Sequence, residues 1–399
     1  MTVQVALAHD YATQRGGAER VALAMTRAFP EAPLHTTLYD PAGTFPEFAD
    51  VDLRTSRLDR WGVLRRHHRL ALPLLPGAVD AQAVEGDVLV ASSTGWAHGY
   101  RGARRTVVYC HAPARWLYQR DRYLSGQEAS GLLDRGRTAL AGAALGMLTP
   151  RLRRWDAAAA ARADVYLANS TVTRDAVRAA YGIEAEILPP PPAMMPAGEE
   201  RAVPGLEPGF LLCVARLLPY KNVDVLIRAA SLLGGPRLVV VGDGPDRARL
   251  ERIATGAPVT FTGRVEDDEL RWLYRSCGAL VAASYEDFGL SPLEAGAFGR
   301  PSVVLGAGGY LDTVVDGVTG RHVPVPEPGA FAEAADEVLR ADWSPAVLTE
   351  HVASFSEERF ADRLRGIVRS VVATVGSEPR GRVAGPRADE EEVSTGDRA

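Results

Sequence analysis

The feature that most constrains this sequence is a repeated order of strand, loop and helix. Apolar runs of strand length at residues 3–8, 210–215 and 279–283 each lead through a polar or glycine-containing loop into a segment with helical spacing of apolar residues. Such runs are typical of buried strands in parallel sheets, in which helices cover both faces. We therefore predict an α/β fold built from doubly wound sheets.

A proline-rich segment divides this alternation into two parts. Residues 189–204 begin with four consecutive prolines and are rich in Pro, Gly and Glu, which favours a stiff, extended linker. At 399 residues the chain is long enough for two domains of ordinary size. We predict a first domain at 1–188 and a second at 205–353, facing each other across a cleft, then a helix at 354–375 and a disordered tail at 376–399.

Two glutamates in the second part mark a predicted ligand site. Glu286 and Glu294 have seven residues between them and flank the junction between the run 279–283 and a helix whose cap we expect near Ser291. A helix N-terminus offers free N–H groups to an anion, so a phosphate fits at Gly289 to Ser291. Carboxylates accept hydrogen bonds from hydroxyls. A site for both phosphate and hydroxyls indicates a sugar nucleotide.

Two cations follow the first strand of the second part. Of the 45 lysine and arginine residues, only Lys221 is a lysine, and its compact ammonium differs physically from a planar guanidinium. Arg216 leaves the strand end and Lys221 enters the next helix, so together they can bridge a diphosphate and stabilise it as it leaves. We predict both as ligands of the donor diphosphate.

The first part carries two candidate features at strand ends. Gly16 and Gly17 lie between the first strand and a helix, where adjacent glycines let the backbone approach a ligand closely. They do not form a Gly-x-Gly-x-x-Gly pattern, which disfavours a dinucleotide site. His111 follows the strand run 106–109, at the edge where open α/β sheets bind their ligands. Its position predicts that His111 contacts a ligand; its role as the catalytic candidate of the first domain is implied by a family resemblance given below.

These strings together resemble glycosyltransferase family 4, of group 1, whose members have the GT-B fold and retain the configuration at the anomeric carbon. The resemblance rests on Arg-x4-Lys-Asn at 216–222, Glu-x7-Glu at 286–294, Gly-Gly-Ala-Glu at 16–19 and Tyr-Cys-His-x-Pro-x-Arg at 109–115. It implies two Rossmann-like domains, an acceptor-side domain at 1–188 and a nucleotide-sugar-binding domain at 205–353, and a helix at 354–375 that crosses back to the first domain. It also implies the transfer of a hexose from a nucleotide diphosphate sugar.

The resemblance also assigns roles to residues. It implies that Glu286 contacts the donor sugar and that His111 lies with it at the reaction centre, while Glu294 contacts the ribose. The other implied donor-binding residues are Gly16, Gly17, Arg216, Lys221, Val265, Phe288, Gly289 and Leu290. Many relatives have Glu where this chain has Asp312.

Donor and acceptor follow from the same resemblance. Glu-Asp-Phe-Gly at 286–289 and the string at 109–115 are most similar to those of mannosyltransferase-type members, which favours GDP-mannose as donor over a UDP-sugar. The implied acceptor is a glycan or a lipid-linked intermediate, as in cell-envelope polysaccharide biosynthesis. We expect no cofactor and no metal, because the sequence lacks a metal-ligand cluster and Arg216, Lys221 and the helix N-terminus supply the electrophilic assistance.

Composition limits the partners. The formal net charge of −5 gives no sign of a nucleic-acid partner. The three cysteines are far apart, which predicts buried thiols in a reducing compartment. There is no signal-peptide pattern, and the apolar stretch 138–147 is too short for a spanning helix of about 20 residues. We expect a cytoplasmic protein whose arginine-rich segment 54–69 either is a solvated basic helix or rests on the inner face of the cell membrane.

Two other classes of function stay open. A sugar-nucleotide epimerase of the same fold would need acid and base groups around the sugar and no acceptor site, and a non-catalytic subunit would bind the nucleotide sugar without turnover. Acceptor-dependent release of free nucleoside diphosphate distinguishes a transferase from both. We reject a glycosidase, because the second acid of the pair is assigned to a ribose and cations accompany a phosphate.

Overall fold

The computed structural model describes residues 3–118 and 148–373, without the side chains of residues 69, 70 and 116. The apolar stretch 138–147 and the predicted disordered tail 376–399 lie outside the described residues. The predicted helix 354–375 is described as far as residue 373.

The first sheet is parallel, and its described strands follow the order β3-β2-β1-β4-β5-β6-β7. Its strands are β1 Val5–His9, β2 Leu34–Thr36, β3 Leu53–Thr55, β4 Val88–Ser93, β5 Arg105–Cys110, β6 Val165–Ala168 and β7 Glu186–Ile187. The central strand β4 is buried along its whole length, which explains why its first four residues are apolar without alternation; it ends in Ser92 and Ser93 at the carboxyl edge of the sheet.

The second sheet is also parallel, and its described strands follow the order β10-β9-β8-β11-β12-β13. Its strands are β8 Leu211–Val214, β9 Leu238–Val241, β10 Val259–Gly263, β11 Ala279–Ala282, β12 Ser302–Leu305 and β13 Gly320–Val323. In each sheet the strand order reverses direction once, between β1 and β4 and between β8 and β11. Open α/β sheets bind ligands beyond the carboxyl ends of the strands at such a reversal.

Helices cover both faces of each sheet. Those of the first half are α1 Gly17–Ala28, α2 Gly62–Arg66, α3 His68–Ala71, α4 Leu75–Asp80, α5 Arg115–Tyr118, α6 at 148–160 and α7 Thr171–Tyr181. Those that follow are α8 Val223–Leu233, α9 Arg247–Ile253, α10 Asp267–Ser276, α11 Ser291–Ala297, α12 Tyr310–Thr313, α13 Pro328–Arg340, α14 Pro345–Ala353 and α15 Glu357–Ala373. In the part of the chain that the structure describes, no helix is long and apolar enough to cross a membrane.

Of three local expectations, one was right and two were wrong. The cap of α11 lies near Ser291, as expected: Leu290 occupies the N-cap position without a side-chain bond, and Ser291 is the first residue of the helix. Helix α1 begins at Gly17, so the glycine pair is not a free loop but the N-cap and first residue of the helix. The basic segment 54–69 is not one helix, because it comprises the end of β3, a 3₁₀ turn at Arg57–Arg60 and the short helices α2 and α3.

The last helix, α15, packs against the first sheet. Phe360, Leu364 and Val368 are buried in the same apolar cluster as Leu7 of β1 and Met25 of α1. The ring of Phe360 meets the ring of Tyr109 edge on, at 5.7 Å between centroids. The chain therefore returns to its first half after completing the second sheet.

Candidate active site

The carboxyl ends of β8 and β11 bring the predicted cation and carboxylate of the second half together. The Lys221 ammonium forms an ion pair with the Glu286 carboxylate, and the Ser284 hydroxyl donates to the same oxygen, Oε1, at 2.5 Å. Both side chains are mostly buried, with 15% and 22% of their surface exposed. Burial alone would raise the pKa of Glu286, but the adjacent Lys221 lowers it below its ordinary value.

The position of Lys221 depends on its neighbour Asn222. Asn222 has a φ of 52°, the left-handed region, and is the only non-glycine residue with positive φ among the described residues. Asparagine tolerates this conformation better than most residues. Its Nδ2 donates to the Ala283 carbonyl at 2.9 Å. Asn222 thus connects the start of α8 to the end of β11, where Glu286 follows.

Arg216 differs from Lys221 in its surroundings. It lies just beyond the end of β8, and its side chain is exposed. Within the described ranges, no carboxylate forms an ion pair with it. Its guanidinium is therefore available to an anionic ligand beyond the end of β8.

Glu294 lies in the first turn of α11 and is buried. The Tyr274 hydroxyl donates to its Oε2 at 2.6 Å. Burial raises the pKa of Glu294, while the Tyr274 hydroxyl and the backbone of Met194 and Ala193 oppose this effect. The second glutamate of the pair is therefore held against α10 and the segment that joins the two halves.

The loop between the glutamates is rigidly packed. Phe288 is buried in an apolar cluster against which Leu290 and Val265 also pack. Gly289 has a φ of 86°, and a Cβ there would lie 2.5 Å from the ring of Tyr310, so only glycine fits. The structure thus brings Phe288, Leu290 and Val265 into one apolar cluster, with Gly289 between Phe288 and Leu290.

In the first half, His111 lies at the end of β5 and is bonded to two neighbouring strands. Its Nε2 is 2.8 Å from the Ser92 hydroxyl, which is also 3.0 Å from Nδ1 of His9. Burial lowers the pKa of His111 to about 3, and the nearby His9 and Arg115 act in the same direction. His111 is therefore a neutral imidazole at pH 7. The Asn169 amide supports it by donating to its carbonyl at 3.2 Å.

The glycine pair encloses an acidic side chain. Glu19, in the first turn of α1, is 1% exposed, and a Cβ on Gly16 would lie 2.6 Å from its Oε2. Among the described residues this oxygen has no hydrogen-bond partner. Burial raises the pKa of Glu19 to about 7. On the other side, a Cβ on Gly17 would lie 3.4 Å from Leu290, so the glycine pair contacts the loop between Glu286 and Glu294 in the second half.

Polar contacts cross from one half to the other around these residues. Arg115 forms an ion pair with Asp287, and the Thr171 backbone N–H donates to Asp312 at 2.7 Å. Asp312 also accepts from the Thr171 hydroxyl. Asp312 therefore joins the start of α7 to the second half.

Sequence reasoning did not single out Glu19, Ser92, Tyr274, Arg115 or Asp287. Arg115 and Asp287 stood inside quoted strings, and this position offered a signal, since Asp287 lies between the predicted site residues Glu286 and Phe288 and Arg115 follows His111 by four residues. Glu19 also stood in the Gly-Gly-Ala-Glu string, but nothing in the sequence indicated that it is buried. Ser92 and Tyr274 carried no pattern of their own.

Comparisons with known proteins agree with this geometry. The family described as Glycosyltransferase Family 4 matches residues 15–191, and the family described as Glycosyl transferases group 1 matches residues 198–355. The D-inositol 3-phosphate glycosyltransferase of Mycobacterium tuberculosis strain H37Rv is 33% identical over 186 residues. This match covers 42% of the chain and only 38% of the length of that relative.

Solved structures share the fold. Anabaena HepE in complex with UDP and glucose has a TM-score of 0.65 at 18% identity and covers 92% of this chain and 100% of its own. Sucrose-phosphate synthase from Thermosynechococcus elongatus has a TM-score of 0.65 at 20% identity, with 93% and 100% covered. The fold is GT-B, as predicted. Since the two family matches together extend over most of the chain, from residue 15 to residue 355, it belongs to the group 1 and family 4 glycosyltransferases, a family of enzymes.

Proposed function

We propose that this enzyme transfers a hexose from a nucleotide diphosphate sugar to a glycan or a lipid-linked acceptor, with retention at the anomeric carbon. The observation that carries the proposal is the pairing of the single lysine, Lys221, with Glu286 at the reversal point of the second sheet. Arg216, just beyond the end of β8, adds a second cation that has no carboxylate partner among the described residues. Cations and a carboxylate in one place suit a ligand that has both a diphosphate and hydroxyls.

The cations act on the leaving group. As the bond between the anomeric carbon and the diphosphate oxygen breaks, negative charge grows on that oxygen, and preorganised cations stabilise it. Lys221 is fixed by Glu286 and by the backbone turn at Asn222, so little reorganisation is required during reaction. Glu286, ionised beside Lys221, accepts a hydrogen bond from a hydroxyl of the donor sugar.

His111 contributes from the first half of the molecule as a neutral group. Its Nε2 is bonded to Ser92, and its Nδ1 makes no hydrogen bond to any described residue. In this proposal Nδ1 binds a hydroxyl of the donor sugar, which orients the anomeric carbon toward the acceptor. Its low pKa excludes a role as a cationic acid at neutral pH.

The identity of the donor is the first question for experiment. We propose GDP-mannose, with UDP-sugars as the second candidate because the structurally similar HepE is in complex with UDP and glucose. Purified enzyme would be titrated with GDP, UDP and ADP and their sugar conjugates while its melting temperature is recorded, since a ligand that binds only the native state raises it. A shift with one nucleotide that disappears in Lys221→Ala supports the donor site. If no nucleotide stabilises the wild-type enzyme, the proposal is wrong.

Product analysis separates the alternatives. A transferase releases nucleoside diphosphate only when acceptor is present, an epimerase converts the sugar nucleotide without accumulating nucleoside diphosphate, and a non-catalytic subunit does neither. We also expect release to continue in the presence of a chelator, because we assign the electrophilic assistance to Arg216 and Lys221. Abolition by EDTA and recovery with a divalent ion would contradict that assignment.

A surface on the first half fits a membrane-bound acceptor. Trp61 is 68% exposed, Val63 55% and Leu74 50%, and the exposed arginines Arg57 and Arg60 lie on the same short segment. Apolar side chains among cations are the combination that binds the surface of an anionic bilayer.

The same segment reaches the ligand side of the first sheet. His68 of α3 stacks on Tyr11, just beyond the end of β1, at 4.6 Å between ring centroids. We propose that this surface brings the cleft to lipid-linked acceptors. Cosedimentation with anionic but not neutral liposomes, reduced in Trp61→Ala, is expected; no binding at low salt would contradict it.

A further inference from the structure

Two adjacent carboxylates hold cations from opposite halves of the molecule. Glu286 pairs with Lys221, which belongs to the same sheet, whereas Asp287 pairs with Arg115, which follows the end of β5 in the other sheet. Only one peptide bond separates the two acids. The charge of the loop that carries Glu286 is thus balanced from both sides of the cleft.

The Asp287 end of the second pair is rigid. The backbone N–H of Gly309 donates to the Glu286 carbonyl at 2.8 Å. A Cβ on Gly309 would lie 2.3 Å from Cα of Phe288, and one on Gly308 would lie 2.5 Å from the Glu286 carbonyl, so these glycines support the loop by direct backbone contact. Asp287 has little freedom to follow a moving partner.

The backbone at the Arg115 end is also closely packed, while 42% of the Arg115 side chain is exposed. Arg115 begins α5, and its neighbour Ala114 is fully buried against Gly95, where a Cβ would lie 2.7 Å from that of Ala114. Four residues before it, the His111 backbone N–H donates to the Ser93 carbonyl at 2.9 Å. Any displacement of Arg115 therefore moves the segment that carries His111.

The charges strengthen the contact. Burial alone would lower the pKa of Arg115, but the carboxylates of Asp287 and Glu286 raise it above its ordinary value. The side chain of Asp287 is 14% exposed, so its interaction with the guanidinium is only partly screened by solvent.

We propose that the Arg115 and Asp287 pair positions His111 opposite Glu286 and so governs turnover rather than donor affinity. This inference rests on the proposed sugar transfer. Arg115 is then a positioning residue, because it acts through Asp287 and does not touch the substrate. Misplacement of a reacting group by about 1 Å costs on the order of 100-fold in rate. We expect Arg115→Asp and Asp287→Arg each to lower kcat by about 10- to 100-fold.

The test is an exchange of the two charges. Arg115→Asp, Asp287→Arg and the double exchange would be compared for kcat, for KM of the donor, and for the melting-temperature shift given by the matching nucleoside diphosphate. We expect the single variants to keep the nucleotide shift and lose turnover, and the double exchange to recover at least part of kcat. The matched control is the exchange of Arg27 and Glu357, an ion pair with a 2.8 Å contact on the outside of the first half, which should leave kcat unchanged.

Two results would overturn the proposal. If Arg115→Asp abolishes the nucleotide shift and the double exchange does not recover activity, Arg115 binds the donor itself. If the single variants keep wild-type kcat, the pair positions nothing. Should the wild-type enzyme transfer no sugar at all, the proposed function fails, and the ion pair is then tested through the urea unfolding midpoints of the variants. A midpoint of the double exchange that recovers relative to both single variants supports the contact between Arg115 and Asp287. No recovery refutes it.

Discussion

In the second half of the molecule Lys221 and Glu286 meet as ions, whereas in the first half His111 and His9 meet through Ser92 as weakly basic rings. Both arrangements lie at the point where a sheet reverses its strand order. The same topology therefore supports two different chemistries. The residues beyond the strand ends of the first sheet are here called the first wall, and those of the second sheet the second wall. In the proposed sugar transfer, Lys221 of the second wall suits an anionic diphosphate, and the neutral rings of the first wall suit sugar hydroxyls.

The two halves also differ in how completely their buried acids are bonded. Asp10, after β1, accepts from the backbone N–H groups of Trp96 and Ala97 at 3.1 and 2.5 Å, and its other oxygen accepts from Thr94. Glu19, a few residues later, keeps one oxygen without a partner in the described part of the chain. Glu286 and Glu294 of the second half both have bonded carboxylates. Of these four acids, Glu19 is the one with a buried oxygen that has no hydrogen-bond partner among the described residues.

The largest effect is expected from removing the charge of the second wall. We expect Lys221→Ala to lower kcat/KM by about 100- to 1000-fold, as loss of a preorganised electrostatic group commonly does. It also leaves Glu286 buried without its cation. Steady-state assays of nucleoside diphosphate release would measure this, with the exposed Arg340→Ala as control. A loss below tenfold would mean that the wall does not depend on its single lysine.

The next largest effect concerns Glu19 and depends on pH. Its pKa in the folded protein is raised to about 7 from an ordinary value of 4.5. Between these values the folded state keeps a proton that the unfolded state has released, so the free energy of unfolding falls as pH rises, by about 3 kcal/mol in total. Below this window both states are protonated, and above it both are ionised.

Glu19→Gln removes this titration. We therefore expect the variant to gain about 3 kcal/mol relative to the wild type between pH 4.5 and pH 8, measured by urea unfolding at both values. The exposed Glu350→Gln serves as control. If Glu19→Gln and the wild type respond equally to pH, the first wall holds no buried acid of raised pKa.

A smaller effect tests the contact between the walls. Asp312→Ala removes the acceptor for both the N–H and the hydroxyl of Thr171 at the start of α7. Loss of a bond at a helix N-terminus costs about 1 kcal/mol. Urea unfolding would measure this, with the exposed Asp342→Ala for comparison. An unchanged urea midpoint would show that the walls are held together without Asp312.

The smallest effect is expected from removing the Ser92 hydroxyl in the first half. Ser92→Ala removes the hydroxyl that lies between His111 and His9. One hydrogen bond contributes about 1 kcal/mol, which corresponds to roughly a fivefold loss of kcat if it orients His111. Ser231→Ala, which removes a hydroxyl bond inside α8, is the control. Full activity of Ser92→Ala would indicate that the ring is oriented by packing alone.

Sequence reasoning reached the fold because local patterns encode it. The apolar runs correspond to β1, β8 and β11, and the family strings fall at the strand ends where ligands bind. Arg115 and Asp287 are separated by 172 residues and Thr171 and Asp312 by 141. Such pairs depend on how two sheets lie against each other, which periodicity does not contain.

The helix α15 sets an order of events during synthesis. Leu7, Val21 and Val90 of the first half share an apolar cluster with Phe360 and Leu364, so this core is complete only when almost the whole described chain has left the ribosome. At about 5 to 20 residues per second, translation of the second sheet, residues 211–323, takes roughly 6 to 23 seconds before α15 emerges. During that interval α1 and β1 expose apolar surface that the finished protein covers. The second half, by contrast, completes its apolar clusters once α14, which carries Val352, has been made, so the half synthesised first is the one completed last.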